Sequence, residues 1–79
     1  MDPKALDAAL LEAHNRNDVA ALVRLYTLAG DQAERQKDIQ AACFYLTHAF
    51  VYALESGAPE ADGLNRRLAD HGRADRLDF

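Results

Sequence analysis

The feature that most constrains the fold is one long apolar-rich segment, which runs from Ile39 to Leu54. It follows Asp38, a residue type that caps helices, and it is followed by Gly57, which can take the left-handed conformation that closes a helix. Elsewhere the chain has few β-branched residues and no alternating apolar and polar run bounded by turn residues. We therefore predict a helix here and an all-α fold.

Residue types that start and stop helices predict three more helices. Asp2-Pro3 is an N-cap followed by a proline at the first helical position, and either Asn17 or Asp18 caps the second helix. The resulting prediction is one domain, residues 1–79, folded as a small antiparallel bundle of about four helices. Their predicted bounds are 3–15, 18–36, 38–56 and 60–71. Residues 73–79 are predicted to form a mobile tail, with Leu77 and Phe79 free or docked back.

The small size of the chain predicts that it gains stability from association. A chain of 79 residues buries only about 60% of its unfolded surface, so its core is marginal. Disulfides, metals or oligomerisation usually compensate in such small domains. Cys43 is the single cysteine, which excludes an intramolecular disulfide. We therefore expect a homo-oligomer or a protein partner.

Charge and hydropathy argue against two other classes of partner. The net charge of −4 opposes binding to nucleic acid and docking on an anionic membrane, both of which need a basic surface. A membrane span needs about 20 apolar residues, whereas Ile39–Leu54 is shorter and contains Gln40, Thr47 and His48. The residues after Met1 also lack the pattern of a signal peptide. With one free thiol, the expected location is cytoplasmic.

The segment Tyr26 to Ala49 resembles a tetratricopeptide repeat, a pair of antiparallel helices of about 34 residues. The residues that carry the resemblance stand at the spacing of the motif: Tyr26, Ala29-Gly30, Ala33, Ala42, Leu46 and Ala49. Small residues let such helices approach and large ones fill the space between them. The resemblance implies a helical hairpin that binds peptides or proteins and has no catalytic activity.

The residues that could support catalysis or metal binding are scattered. Cys43 lies on the apolar arc of the third helix with Leu46, where a buried thiol is unreactive. The three histidines, His14, His48 and His71, lie on different helices or helix ends, without the one-turn spacing of paired metal ligands. We predict no enzyme, no metal and no cofactor. A small enzyme or ligand-binding bundle that uses Cys43 or the histidines is the alternative.

The charged residues are expected to form surface pairs. Glu12 with Arg16, and Asp31 with Arg35, stand at the favourable i,i+4 spacing. Aspartates interleave with the only concentration of basic residues, which lies near the C-terminus: Arg66, Arg67, Arg73 and Arg76. We expect an ordinary mixed-charge face there rather than a nucleic-acid contact.

The third helix presents two apolar faces when it is projected at 100° per residue. One arc is predicted to be core: Ile39, Ala42, Cys43, Leu46, Ala49, Phe50 and Ala53. The other is the candidate interface, with Gln40 and Glu55 at its margins: Phe44, Tyr45, His48, Val51 and Tyr52. Either other helices cover the second arc or it binds a partner, and both can hold in part. The predicted function is a protein-interaction module or small accessory subunit that self-associates or docks on a larger protein through this arc.

Overall fold

The computed structural model describes residues 1–73, which fold into four α-helices and contain no strand. The helices are α1 (Pro3–Asn15), α2 (Val19–Arg35), α3 (Ile39–Ser56) and α4 (Glu60–Asp70). Their ends lie within one residue of the predicted bounds, and the predicted all-α helical bundle is confirmed. Residues 74–79, including Leu77 and Phe79, lie outside the part that is described.

Aspartate side chains start the first three helices, as their sequences predict. The carboxylate of Asp2 accepts a hydrogen bond from the backbone N–H of Ala5. Asp18, rather than Asn17, caps α2 by accepting from Ala21, and Asp38 caps α3 in the same way. Each carboxylate satisfies one of the N–H groups that the first turn of a helix leaves without a partner.

The turns that end α1, α2 and α3 share one geometry at intervals of 20 residues. The left-handed residue of each turn has a φ of 53°, 61° or 66°, at Asn17, Lys37 and Gly57. The N–H of the following residue bonds back to the carbonyl of Ala13, Ala33 or Ala53, at 2.9–3.0 Å. This six-to-one bond is the Schellman motif. Consecutive helices, joined by three residues each, therefore reverse direction.

The helices pack in chain order, α1 on α2, α2 on α3 and α3 on α4. Within residues 1–73, the backbones of non-consecutive helices do not come into contact. The molecule is thin, with principal dimensions of 32 × 29 × 13 Å. A thin stack encloses little core volume, and most of it is formed around the central pair, α2 and α3.

The core consists of two clusters on either side of the α2–α3 contact. One joins Val23 to residues of α3 and α4, and the other joins α1 to the opposite side of α2. Leu46, fully buried at 0% exposure, lies at the centre of the first cluster. The prediction that Ile39 belongs to the core is wrong, because Ile39 is 39% exposed. Ile39 is the first residue of α3 and lies near the end of α2, so α2 does not cover it fully.

Gly30 marks the closest approach of α2 and α3. A Cβ built on Gly30 would lie 2.7 Å from Cδ2 and 2.8 Å from Cγ of Leu46. A glycine inside a helix is less favourable than alanine by about 1 kcal/mol, so it either interrupts the helix or allows a close neighbour. The helix continues through Gly30, and it is α3 that approaches.

Candidate interaction surface

The structure divides the predicted interface between a covered side and an open side of α3. Tyr45, His48 and Tyr52 are half-buried, whereas Phe44 and Val51 are 59% and 44% exposed. Phe44 and Val51 are seven residues apart, so they lie on the same side of the helix, two turns apart. We define the outer face of α3 as the exposed residues on that side: Gln40, Phe44, Thr47, Val51, Leu54 and Glu55.

The covered side is part of an aromatic cluster built around Tyr26 of α2. The Tyr26 ring stacks on His48, with centroids 5.0 Å apart, and on Tyr52, at 6.0 Å. His48 in turn lies 4.6 Å from the Phe44 ring. The exposed Phe44 ring therefore packs against His48, which itself packs on Tyr26. The periodicity of α3 alone does not predict that Tyr26 of α2 covers this side of the helix.

His14 at the end of α1 closes the cluster. Its Nε2 shares a hydrogen bond of 2.8 Å with the hydroxyl of Tyr26, and its ring meets Tyr52 edge-on. Burial, together with the neighbouring phenols of Tyr52 and Tyr45, raises the pKa of Tyr26. The phenol is protonated at neutral pH, as in an ordinary tyrosine, and the raised pKa keeps it protonated at higher pH. Three helices thus hold one side of the α3 aromatic residues in place.

A shallow hollow of about 380 Å³ borders the outer face near the N-terminal end of α3. Its lining includes Gln40, Phe44 and Thr47 of the outer face and Arg73, which follows α4. Arg73 and Phe44 therefore border the same hollow. In the sequence, Arg73 belongs to the C-terminal group of arginines, and its spacing from α3 does not predict that it lies beside Phe44.

Within residues 1–73, the three histidines of the enzyme hypothesis bond to groups other than the Cys43 thiol. Cys43 borders the same hollow, but it is only 4% exposed. His48 shares a hydrogen bond of 2.9 Å between its Nδ1 and the carbonyl of Phe44. His14 and His71 bond to Tyr26 and Glu34. Among residues 1–73, no three histidine, cysteine or acidic side chains are grouped so that they could hold a metal ion.

The strongest polar contact connects α4 to α2. Arg67 donates from Nη2 to Asp31 and Glu34, at 2.6 and 2.7 Å, and His71 bonds to the second oxygen of Glu34 at 2.7 Å. The predicted Asp31–Arg35 pair is replaced by this contact, because Arg67 reaches Asp31 from another helix. The exposed pair Glu12–Arg16 forms as predicted, at 4.0 Å.

We expect this contact to make stability depend on pH through Glu34. The hydrogen bond from His71, and then Arg67, lowers the pKa of Glu34 below its ordinary value of 4.5. A carboxylate with a lowered folded-state pKa stabilises the fold above its unfolded-state pKa, and this stabilisation is lost as the pH falls. At neutral pH, Glu34→Gln should therefore lower the free energy of unfolding by about 1 kcal/mol. Urea unfolding should show that this difference closes as the pH falls below about 4.5.

Glu12→Gln is the matched control, because Glu12 pairs with Arg16 on the surface, where both side chains are more than half exposed. It should change stability by less than about 0.5 kcal/mol at any pH. If Glu34→Gln and Glu12→Gln change the free energy of unfolding equally at every pH, the contact between α2 and α4 does not stabilise the fold.

Comparison with known proteins gives no family for this chain. No protein-family model, curated protein sequence or solved structure matches it. Within residues 1–73, no helix is both long and apolar enough to cross a membrane. Its function must therefore be argued from its own surface.

Proposed function

We propose that this chain is a protein-interaction module, or a small accessory subunit, that binds its protein partner through the outer face of α3. The observation that carries the proposal is the exposure of Phe44 and Val51 on one side of the helix that forms the centre of the fold. A helix face that remains exposed is normally polar. Here the two central positions are apolar, and one is aromatic.

The support beneath Phe44 suits a binding anchor. Phenylalanine and tyrosine are enriched in the buried centres of protein interfaces. Because His48 and Tyr45 flank the Phe44 ring and contact Tyr26 from below, binding would immobilise few side chains that are free beforehand. Gln40, Thr47 and Glu55 would then supply the polar rim.

The thin stack gives a second reason for association. Within residues 1–73, the backbone of each helix contacts only those of its chain neighbours, as in repeat proteins, where extended surfaces bind other chains. The resemblance of Tyr26–Ala49 to a tetratricopeptide repeat supports the same class of function. The buried single thiol of Cys43 fits a reducing, cytoplasmic location. No catalytic step is part of the proposal.

The proposal is tested by affinity isolation with a tagged chain expressed in the cells that make it. Phe44→Glu should lose the proteins, including untagged copies of the chain, that the wild type retains. The matched control is Leu11→Glu, which places the same charge on α1 at a leucine that is 63% exposed. Circular dichroism should show equal helicity for all three chains. Retention of the same proteins by Phe44→Glu and the wild type would contradict the proposal.

A further inference from the structure

We infer that the protein bound at the outer face of α3 is a second copy of this chain, which packs its own α3 antiparallel against the first. The two copies would be related by a two-fold axis that passes between Thr47 and His48. This inference rests on the proposed function and names the partner. It is carried by the symmetry of the outer face and by the positions of two charged residues.

Two pairs of residues on the outer face are placed symmetrically about its middle. Phe44 and Val51 stand at equal distances from the point between residues 47 and 48, and Gln40 and Glu55 stand at equal distances beyond them. In a two-fold interface, residue i contacts residue j of the second copy and j contacts i. An antiparallel pair therefore places Phe44 on the Val51 of the other copy, twice. It also places the Gln40 amide opposite the Glu55 carboxylate.

The two ends of the face carry different charges: Arg73 and Asp38 both border the N-terminal end, whereas only Glu55 is charged among the outer-face residues at the C-terminal end. Arg73 lies beside Gln40 and Phe44 at the N-terminal end, and Glu55 is exposed at the C-terminal end. Antiparallel packing brings Arg73 of each copy towards Glu55 of the other. Parallel packing would instead bring the two Arg73 guanidinium groups together and the two Glu55 carboxylates together. Like charges that meet across an interface oppose association, so the antiparallel arrangement is selected.

Self-association would also bury apolar surface of α3 that the single chain leaves exposed. The stack is thin, and the side of α3 that faces outwards is not covered by α1, α2 or α4 at Phe44 and Val51. Packing two such faces together turns α3 into a helix that is buried on all sides. Its apolar composition, from Ile39 to Leu54, is typical of a helix in that environment.

Charge reversal tests the pairing of Arg73 with Glu55. Glu55→Arg and Arg73→Glu, made singly, should each raise the dissociation constant of the dimer about tenfold, because each creates two like-charge contacts. The double variant should return to within about threefold of the wild type, since both ion pairs are restored in reverse. Sedimentation velocity over a concentration series gives the four dissociation constants, those of the wild type, the two single variants and the double variant. Failure of the double variant to recover would overturn the antiparallel arrangement.

Cysteine crosslinking tests the position of the axis. Thr47→Cys should form an intermolecular disulfide under mild oxidation, because the two copies of residue 47 lie on either side of the axis. Gln40→Cys should not, because its two copies would be about 22 Å apart along the helices. Native Cys43 is present in both variants and is buried, so each serves as the control for the other. Equal crosslinking of the two variants would contradict an antiparallel pair.

The failure of this inference can be told apart from that of the proposed function. If the wild type stays monomeric over the concentration series, the partner is not a second copy of this chain. If affinity isolation still yields a different protein that Phe44→Glu loses, the outer face binds that protein and the proposed function stands. If Phe44→Glu and the wild type retain the same proteins, both are wrong.

Discussion

Leu46→Ala should lower the free energy of unfolding by about 3 kcal/mol. Leu46 is fully buried in the cluster that joins α2, α3 and α4. Its truncation removes apolar contacts and leaves a cavity that the surrounding helices can fill only in part. Domains of this size are stable by only about 5 kcal/mol, so the variant should keep only about 2 kcal/mol. Urea unfolding followed by circular dichroism measures the change.

Leu11→Ala is the matched control, since it makes the same truncation on a helix at a leucine that is 63% exposed. It should change the free energy of unfolding by less than about 0.5 kcal/mol. Comparable losses in the two variants would mean that Leu46 is not at the centre of the core.

Gly30→Ala should destabilise the fold by about 1–2 kcal/mol, although alanine is the better helix former by about 1 kcal/mol. The new methyl group would lie 2.7 Å from Cδ2 of Leu46, which is closer than two carbon atoms can pack. Because Leu46 is fully buried, it cannot move into solvent, and α2 and α3 must separate instead. Thermal and urea unfolding of the variant measure the loss in the free energy of unfolding.

Gly63→Ala provides a control of opposite sign. Gly63 is also helical, in α4, but a Cβ built there has nothing within 4 Å. This variant should stabilise the fold by up to about 1 kcal/mol, through helix propensity alone. In the Leu46→Ala background, Gly30→Ala should lose its cost, because the clashing atoms are gone. A destabilising effect of Gly30→Ala that survives in that background would argue against the close approach of α2 and α3.

The helices and their starts could be predicted from sequence because the causes are local. Asp2, Asp18 and Asp38 each cap the helix that follows directly, and Gly57 ends α3 through its own backbone freedom. The 20-residue repetition of the turns was missed, because a left-handed Lys37 has no sequence marker comparable with a glycine.

The parts of the surface that depend on distant residues could not be predicted in full. Helical projection grouped Phe44 with Tyr52 as one candidate interface. Only the position of Tyr26 on α2 decides which of the two is covered. Arg67 was likewise assigned to a solvated face, since nothing near it in sequence reveals Asp31 and Glu34 on α2. Such contacts follow from how α2, α3 and α4 stack and not from the periodicity of any one helix.

The most direct test of the account is the mass of the purified chain across a concentration series, measured by sedimentation equilibrium. We predict that the wild type and Leu11→Glu rise from 8.7 kDa towards twice that mass. Phe44→Glu should stay at 8.7 kDa, because the charge would be buried at the centre of the paired helices. A dimer that forms equally well with Phe44→Glu, or a wild type that stays at the mass of one chain, would contradict pairing through the outer face of α3.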